Sequence, residues 1–149
     1  MFRYLVFYFV VMFYSMIIRL EFVNAAMTLK QFDQSMAMFK KQCLQKTGAD
    51  PALIDGIHRG DFPDHIQELK CFSNCIAVAA GTVNKKGDVV EAKVMKQINT
   101  VLPEQLREYA TASLQACKDI SLKYKDPCDK SYYSTKCMYE FNPEKFIYP

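Results

Sequence analysis

Six cysteines, Cys43, Cys71, Cys75, Cys117, Cys128 and Cys137, limit what this 149-residue chain can fold into more than any other feature. Cys71 and Cys75 sit four apart in "LKCFSNCIAV", a stretch that reads as helix. Side chains at i and i+4 leave the same helix face in parallel. A bond between them would need distorted geometry, so each must reach a different element. Cys128 and Cys137 are nine apart, about 180° around an ideal helix, and should also face different neighbours. Cys43 falls on a first helix and Cys117 near the end of a fifth. An even cysteine count in a small exported chain argues for three disulfides, but spacing alone leaves the pairing open. Structural zinc would want a second close-spaced pair, and His58 and His65 lie on the wrong segment to supply it. A redox dithiol would want C-x-x-C beside a βαβ pattern, which is missing.

The case for export rests on "MFRYLVFYFVVMFYSMIIRLEFVNAA". Arg3 gives a positive start, residues 4–18 carry no charge, and Val23 and Ala25 stand at −3 and −1 of a cleavage site. This is the layout of a secretory signal peptide over residues 1–25, leaving one domain over residues 26–149. A membrane anchor is the rival reading, but fifteen helical residues reach only about 22 Å against roughly 30 Å of hydrocarbon. The leader inflates the 50% hydrophobic content, holding five of the eleven Phe and three of the nine Tyr. Without it the formal charge falls from +3 to +2, which is no footprint for nucleic acid. No later segment is long and apolar enough for stable membrane insertion. No Asn-x-Ser/Thr acceptor occurs, so no N-glycan is expected.

The remaining chain predicts an all-α fold of six helices. Thr28 and Gln31 form a capping box before a stripe of Phe32, Met36, Phe39 and Cys43, and Gly48 stops that helix. Asp50-Pro51 starts a short second helix closed by Gly60. Pro63 opens a third, running to Gly81, with Ile66, Leu69, Ser73, Ile76 and Ala80 on one face. Beyond Cys71 it is apolar almost all round, which marks it as central. Asp88 caps a fourth with Glu91 as box partner and Val90, Val94, Met95 and Ile98 as its stripe. Pro103 opens a fifth with Leu106, Ala110, Cys117 and Ile120 inward. Pro127 starts a sixth holding Cys128 and Cys137. The tail "EFNPEKFIYP" should be extended rather than helical.

The spacing C-x27-C-x3-C-x41-C-x10-C-x8-C resembles that of the six-cysteine insect odorant-binding proteins, whose pattern fixes the three-residue and eight-residue gaps. The match covers Cys43 to Cys137. The resemblance implies the pairing Cys43–Cys75, Cys71–Cys128 and Cys117–Cys137, and a compact helical bundle around a hydrophobic cavity. It implies a secreted carrier that moves small hydrophobic odorants or pheromones through aqueous lymph to an olfactory receptor. It implies no cofactor and no metal, and it admits a homodimer.

Met36, Phe39, Phe72, Ile76, Val94, Met95, Ile98, Leu106 and Tyr109 can supply an apolar pocket wall, although a solid core would use the same residues. Ser73 lies on an apolar face, where its hydroxyl needs a partner: the Leu69 carbonyl or a ligand oxygen. Phe146, Ile147 and Tyr148 could fold back as a lid over the cavity mouth; the plain alternative is a frayed terminus. Imidazoles ordinarily titrate near neutral pH, so His58 and His65 are candidates for an acid sensor, set against two merely exposed histidines.

Catalytic patterns are missing: there is no G-x-S-x-G, no H-E-x-x-H and no Gly-rich phosphate loop. Asp64 and His65 in "DFPDHIQE" have no supporting calcium loop, so a secreted phospholipase is not indicated. Two other readings compete with an olfactory carrier. One keeps the fold as a non-olfactory binder or scavenger of host compounds, lipids or toxins. The other is a secreted interaction or toxin-like protein with a solid core.

Overall fold

The computed structural model describes residues 2–18 and 26–149. The expected cleavage point after Ala25, with Val23, lies outside the described residues. Helix α1 (Phe2–Ile18) lies within the segment expected to be a signal peptide, and its described side chains, Tyr4 and Val6–Tyr14, are exposed. Six helices follow: α2 (Leu29–Thr47), α3 (Pro51–Ile57), α4 (Gln67–Ala79), α5 (Glu91–Thr100), α6 (Glu104–Cys117) and α7 (Pro127–Phe141). Two 3-10 turns, Ile120–Lys123 and Pro143–Lys145, flank α7. The only strand-like pairing among the described residues is an isolated bridge between Val83 and Val89. No helix among them is long and apolar enough to cross a membrane.

Local chemistry sets most of the helix ends. Both bonds of the Thr28–Gln31 capping box form, at 3.2 and 2.9 Å. Gly48 ends α2 in the left-handed conformation, φ 68°, and its N–H reaches the Leu44 carbonyl. The Asp50 carboxylate caps α3 through the Ala52 N–H, and Asp126 caps α7 through the N–H groups of Cys128 and Asp129.

Several boundaries differ from the sequence reading because long-range partners take the groups involved. The third domain helix starts at Gln67, not Pro63: the Pro63 carbonyl accepts from the buried Tyr132 hydroxyl at 3.1 Å, and Ile66 is extended. Asp88 does not cap α5. Its carboxylate pairs with Lys130 of α7 and accepts from Asn84, so Val90 takes the cap position with no side-chain bond. Ile120 lies beyond α6, in the first 3-10 turn, and Gly60 (φ 88°) sits in the turn that follows α3. The tail is extended only from Phe146. Glu140 and Phe141 finish α7, and the Asn142 side chain caps the second 3-10 turn through the Lys145 N–H.

Helix α4 is central, packed between α2 and α7, while α5 packs on α6 and α6 on α7. The disulfides tie this arrangement together. Cys43–Cys75 joins α2 to α4, Cys71–Cys128 joins α4 to α7, and Cys117–Cys137 joins α6 to α7. Lys70 of α4, largely buried, reinforces the α4–α7 contact by pairing with Asp129 at 2.9 Å and lying over the Tyr132 and Tyr133 rings.

Candidate functional site

The apolar side chains do not close into one core. A contiguous buried cluster joins Cys43, Ala49, Ile54, Ile57, Leu69, Phe72, Ile76 and Tyr132, with Phe39, Phe62, Phe146 and Tyr148 packed against it. It belongs to α2, α3, α4, α7 and the tail. Of the candidate pocket residues, Phe39, Phe72, Ile76 and Phe146 meet in this cluster. Val94, Met95, Ile98, Leu106 and Tyr109 lie apart from it on α5 and α6. Ile98 and Tyr109 are buried there, while Val94, Met95 and Leu106 are half-buried, as is Met36 on α2. The second group thus lies outside the cluster that gathers the first. The described residues also include a solvent-facing groove of about 400 Å³ beside the Cys71–Cys128 bond, lined by Lys46, Glu68, Asn74 and Val78 among others; none of the candidate pocket residues lines it.

The tail covers the buried cluster. Its 3-10 turn reverses the chain after α7, and the Phe146 and Tyr148 rings then stack, with centroids 5.7 Å apart. Phe146 meets the edges of Tyr139 and His58, and Tyr148 meets Phe72. The Ser73 hydroxyl lies 2.8 Å from the Tyr148 hydroxyl and donates weakly to the Leu69 carbonyl at 3.4 Å. Its polar need is therefore met by the chain's own tail. Ile147 is half-buried, and successive residues of an extended segment point to opposite sides, so it faces away from its two aromatic neighbours. His58 is exposed, with Nε2 3.4 Å from the Pro149 carbonyl oxygen; His65 is exposed on the segment before α4.

Tyr148, read from sequence as part of a lid but not as the partner of Ser73, is the polar link between tail and bundle. Tyr132 was missed: fully buried in α7, it holds the 61–66 segment through Pro63. Neither sits on an apolar stripe that marks it. The one available signal is that a buried Tyr needs a partner for its hydroxyl.

Burial raises the phenol pKa values of Tyr132 and Tyr148, and pushes Tyr109 up to about 12 from 10.0. The Tyr109 hydroxyl donates to the Met138 carbonyl at 2.9 Å, binding α6 to α7. Because the native state holds these protons more tightly, their stabilising effect is complete below pH 10 and is lost as pH rises through the native values. We expect phenolate absorbance and loss of helical circular dichroism to rise together between pH 10.0 and about 12. Full titration of every tyrosine with the helices intact would contradict this.

Six helices tied by three disulfides, with an aromatic tail folded back on a buried apolar cluster, define a class: small disulfide-bonded helical domains. The PBP/GOBP family model matches residues 25–141, and the chain belongs to that family. General odorant-binding protein 72 of Anopheles gambiae is 32% identical over 124 residues, covering 83% of this chain and all of that protein. Among solved structures, odorant binding protein 5 of Apis mellifera superposes with a TM-score of 0.74 at 30% identity, covering 83% of this chain and 99% of the other. Odorant binding protein 4 of Chrysopa pallens gives 0.76 at 29% identity, with the same coverage. The family is one of soluble extracellular proteins that bind small hydrophobic ligands.

Proposed function

We propose that this protein is exported, loses residues 1–25, and carries a small hydrophobic odorant or pheromone through aqueous lymph to an olfactory receptor. The observation that carries the reading is a set of apolar side chains left half-buried on α2, α5 and α6. Met36, Phe39, Val94, Met95 and Leu106 each keep some exposure, so apolar ligand area can replace water against them. Each Å² of apolar area withdrawn from water contributes roughly 25 cal/mol, less the cost of ordering. Micromolar affinity, about −8 kcal/mol, is expected. Names among the relatives support the odorant reading.

The test is displacement of a fluorescent apolar probe by a panel of volatiles and long-chain fatty acids, with transcript measured in antenna and gut. Preference for volatiles together with antennal expression supports the proposal. Preference for fatty acids with gut or reproductive expression favours the same fold as a non-olfactory scavenger. Failure of every compound to displace the probe would point to a solid-core interaction protein.

The tail acts as the lid in this reading. Deleting residues 143–149 removes the Tyr148–Ser73 hydrogen bond and the Phe146 and Tyr148 ring contacts. One hydrogen bond with its packing is worth about 1.4 kcal/mol or more, so ligand release should speed up by at least about tenfold. An unchanged off-rate and affinity would remove the lid.

His58, which touches the tail, is the better of the two acid-sensor candidates. Around it lie Asp55 and Arg59 of its own segment, and Tyr148 and the Pro149 carbonyl of the tail. His58→Gln should flatten any loss of affinity in mild acid, whereas His65→Gln should not. A pH dependence that survives both substitutions excludes the pair.

A further inference from the structure

Away from the apolar interior, the 3-10 turn Ile120–Lys123 presents Leu122 at 72% exposure, the highest of any large apolar side chain described beyond the leader. Lys123 and Lys125 flank it, both exposed. A second pair of exposed lysines, Lys85 and Lys86, is carried to the same end of the molecule by the loop before α5. That loop is seated on the start of α7. Gly87 is buried at φ 77°, a Cβ there would lie 2.8 Å from the Pro127 Cα, and Asp88 pairs with Lys130. Pro127 is two residues from Lys125, so the two lysine pairs are neighbours.

The local acids offset these charges only in part. Asp88 is paired with Lys130, and the exposed Asp126 carboxylate, which accepts from its two capping N–H groups, and Asp119 leave two negative charges against the four lysines. Asp119, exposed, precedes the turn, and Lys118 beside it pairs with Glu91 at 3.0 Å. Lys85, Lys86, Lys123 and Lys125 enter none of the ion pairs found among the described residues. The turn is held firmly from behind: Tyr124 stacks on Tyr133 of α7 with centroids 4.2 Å apart, so Leu122 is displayed on a fixed support.

The geometry points to a docking surface for anionic lipid headgroups, with the four lysines meeting phosphate and carboxylate groups and Leu122 entering the headgroup–acyl boundary. Each lysine near a negatively charged leaflet is attracted to it, and a leucine leaving water adds to that attraction. One apolar side chain standing so far from the surface, with long flexible cations around it, suits a soft phase more than a second folded surface. The surface is independent of the ligand carried. It would hold the protein beside a membrane, reversibly, without any inserted helix.

The experiment uses protein recovered from the medium of an exporting host, its N-terminus sequenced first. It measures sedimentation with phosphatidylcholine vesicles, with and without phosphatidylserine. Binding is expected only to the anionic vesicles, and should fall as salt rises from about 0.1 to about 1 M, where the screening length shrinks from about 10 to about 3 Å. The double variant Lys123→Glu with Lys125→Glu should bind at least about tenfold more weakly, and Leu122→Ser several-fold more weakly. Lys30→Glu with Lys96→Glu makes the same change in net charge elsewhere on the surface and should bind as the parent does. No binding to anionic vesicles overturns the proposal, as does equal loss in the control pair. Equal binding to soluble polyglutamate, indifferent to Leu122→Ser, would overturn it in favour of an acidic protein partner.

Discussion

Replacing Cys71 and Cys128 together by serine should lower stability by about 4 kcal/mol and the melting temperature by on the order of 15 °C. The bond joins α4 to α7 across 57 residues of sequence. In the unfolded chain that long loop is the freedom the cross-link removes, and the entropic cost of closing it grows with the logarithm of its length. Cys117 and Cys137 close a separation of only 20, so their joint replacement should cost less, about 3 kcal/mol. The α4–α7 bond also has local supports, the Lys70–Asp129 pair and the Asn74–Ser131 hydrogen bond, which limit how far the helices part when it is lost. Denaturant unfolding of the two double variants checks the order. A smaller loss for Cys71 and Cys128 than for Cys117 and Cys137 would contradict the chain-entropy account.

Phe72→Ala is expected to cost about 3–5 kcal/mol, the usual range for emptying a buried aromatic site. Phe72 is fully buried on α4 and packs edge-on with Tyr148. Its loss leaves a void among Leu69, Ile76 and Tyr132, and takes away the surface on which the tail rests. Met95→Ala on α5 is the contrasting case. Met95 is half-buried and lies outside that cluster, so its truncation should cost under about 1 kcal/mol while weakening the binding of an apolar probe. The pair separates core from wall: one substitution acts mainly on folding, the other mainly on ligand. Equal destabilisation by both would mean that the α5 side is solid core.

Fold class and helix count were legible in the residues because their signals are local. Thr28 with Gln31 and Asp50 with Pro51 each define a helix start within four residues, Pro127 marks another, and each forms as read. What was not legible depended on partners far away in sequence. Pro63 offers a helix start, but Tyr132 takes its carbonyl from 69 residues away. Asp88 offers a cap, but Lys130 takes its carboxylate. The site followed the same division. Helical spacing placed Phe39 and Ile76 on faces that do converge. It could not show that Val94, Met95 and Leu106, on helices of their own, fall outside the buried cluster. Nor could it show that the partner of Ser73 is Tyr148, since a tail with no periodicity carries no signal of where it docks.

The central claim is that the three bonds keep an apolar interior open to ligand. Its most direct measurement is titration of a fluorescent apolar probe into the native protein, and again after the disulfides are reduced without denaturant. The account predicts saturable binding of one probe per chain at micromolar concentration in the oxidised protein, lost or greatly weakened on reduction. Absence of saturable binding to the oxidised protein, or equally tight binding by the reduced chain, would contradict it.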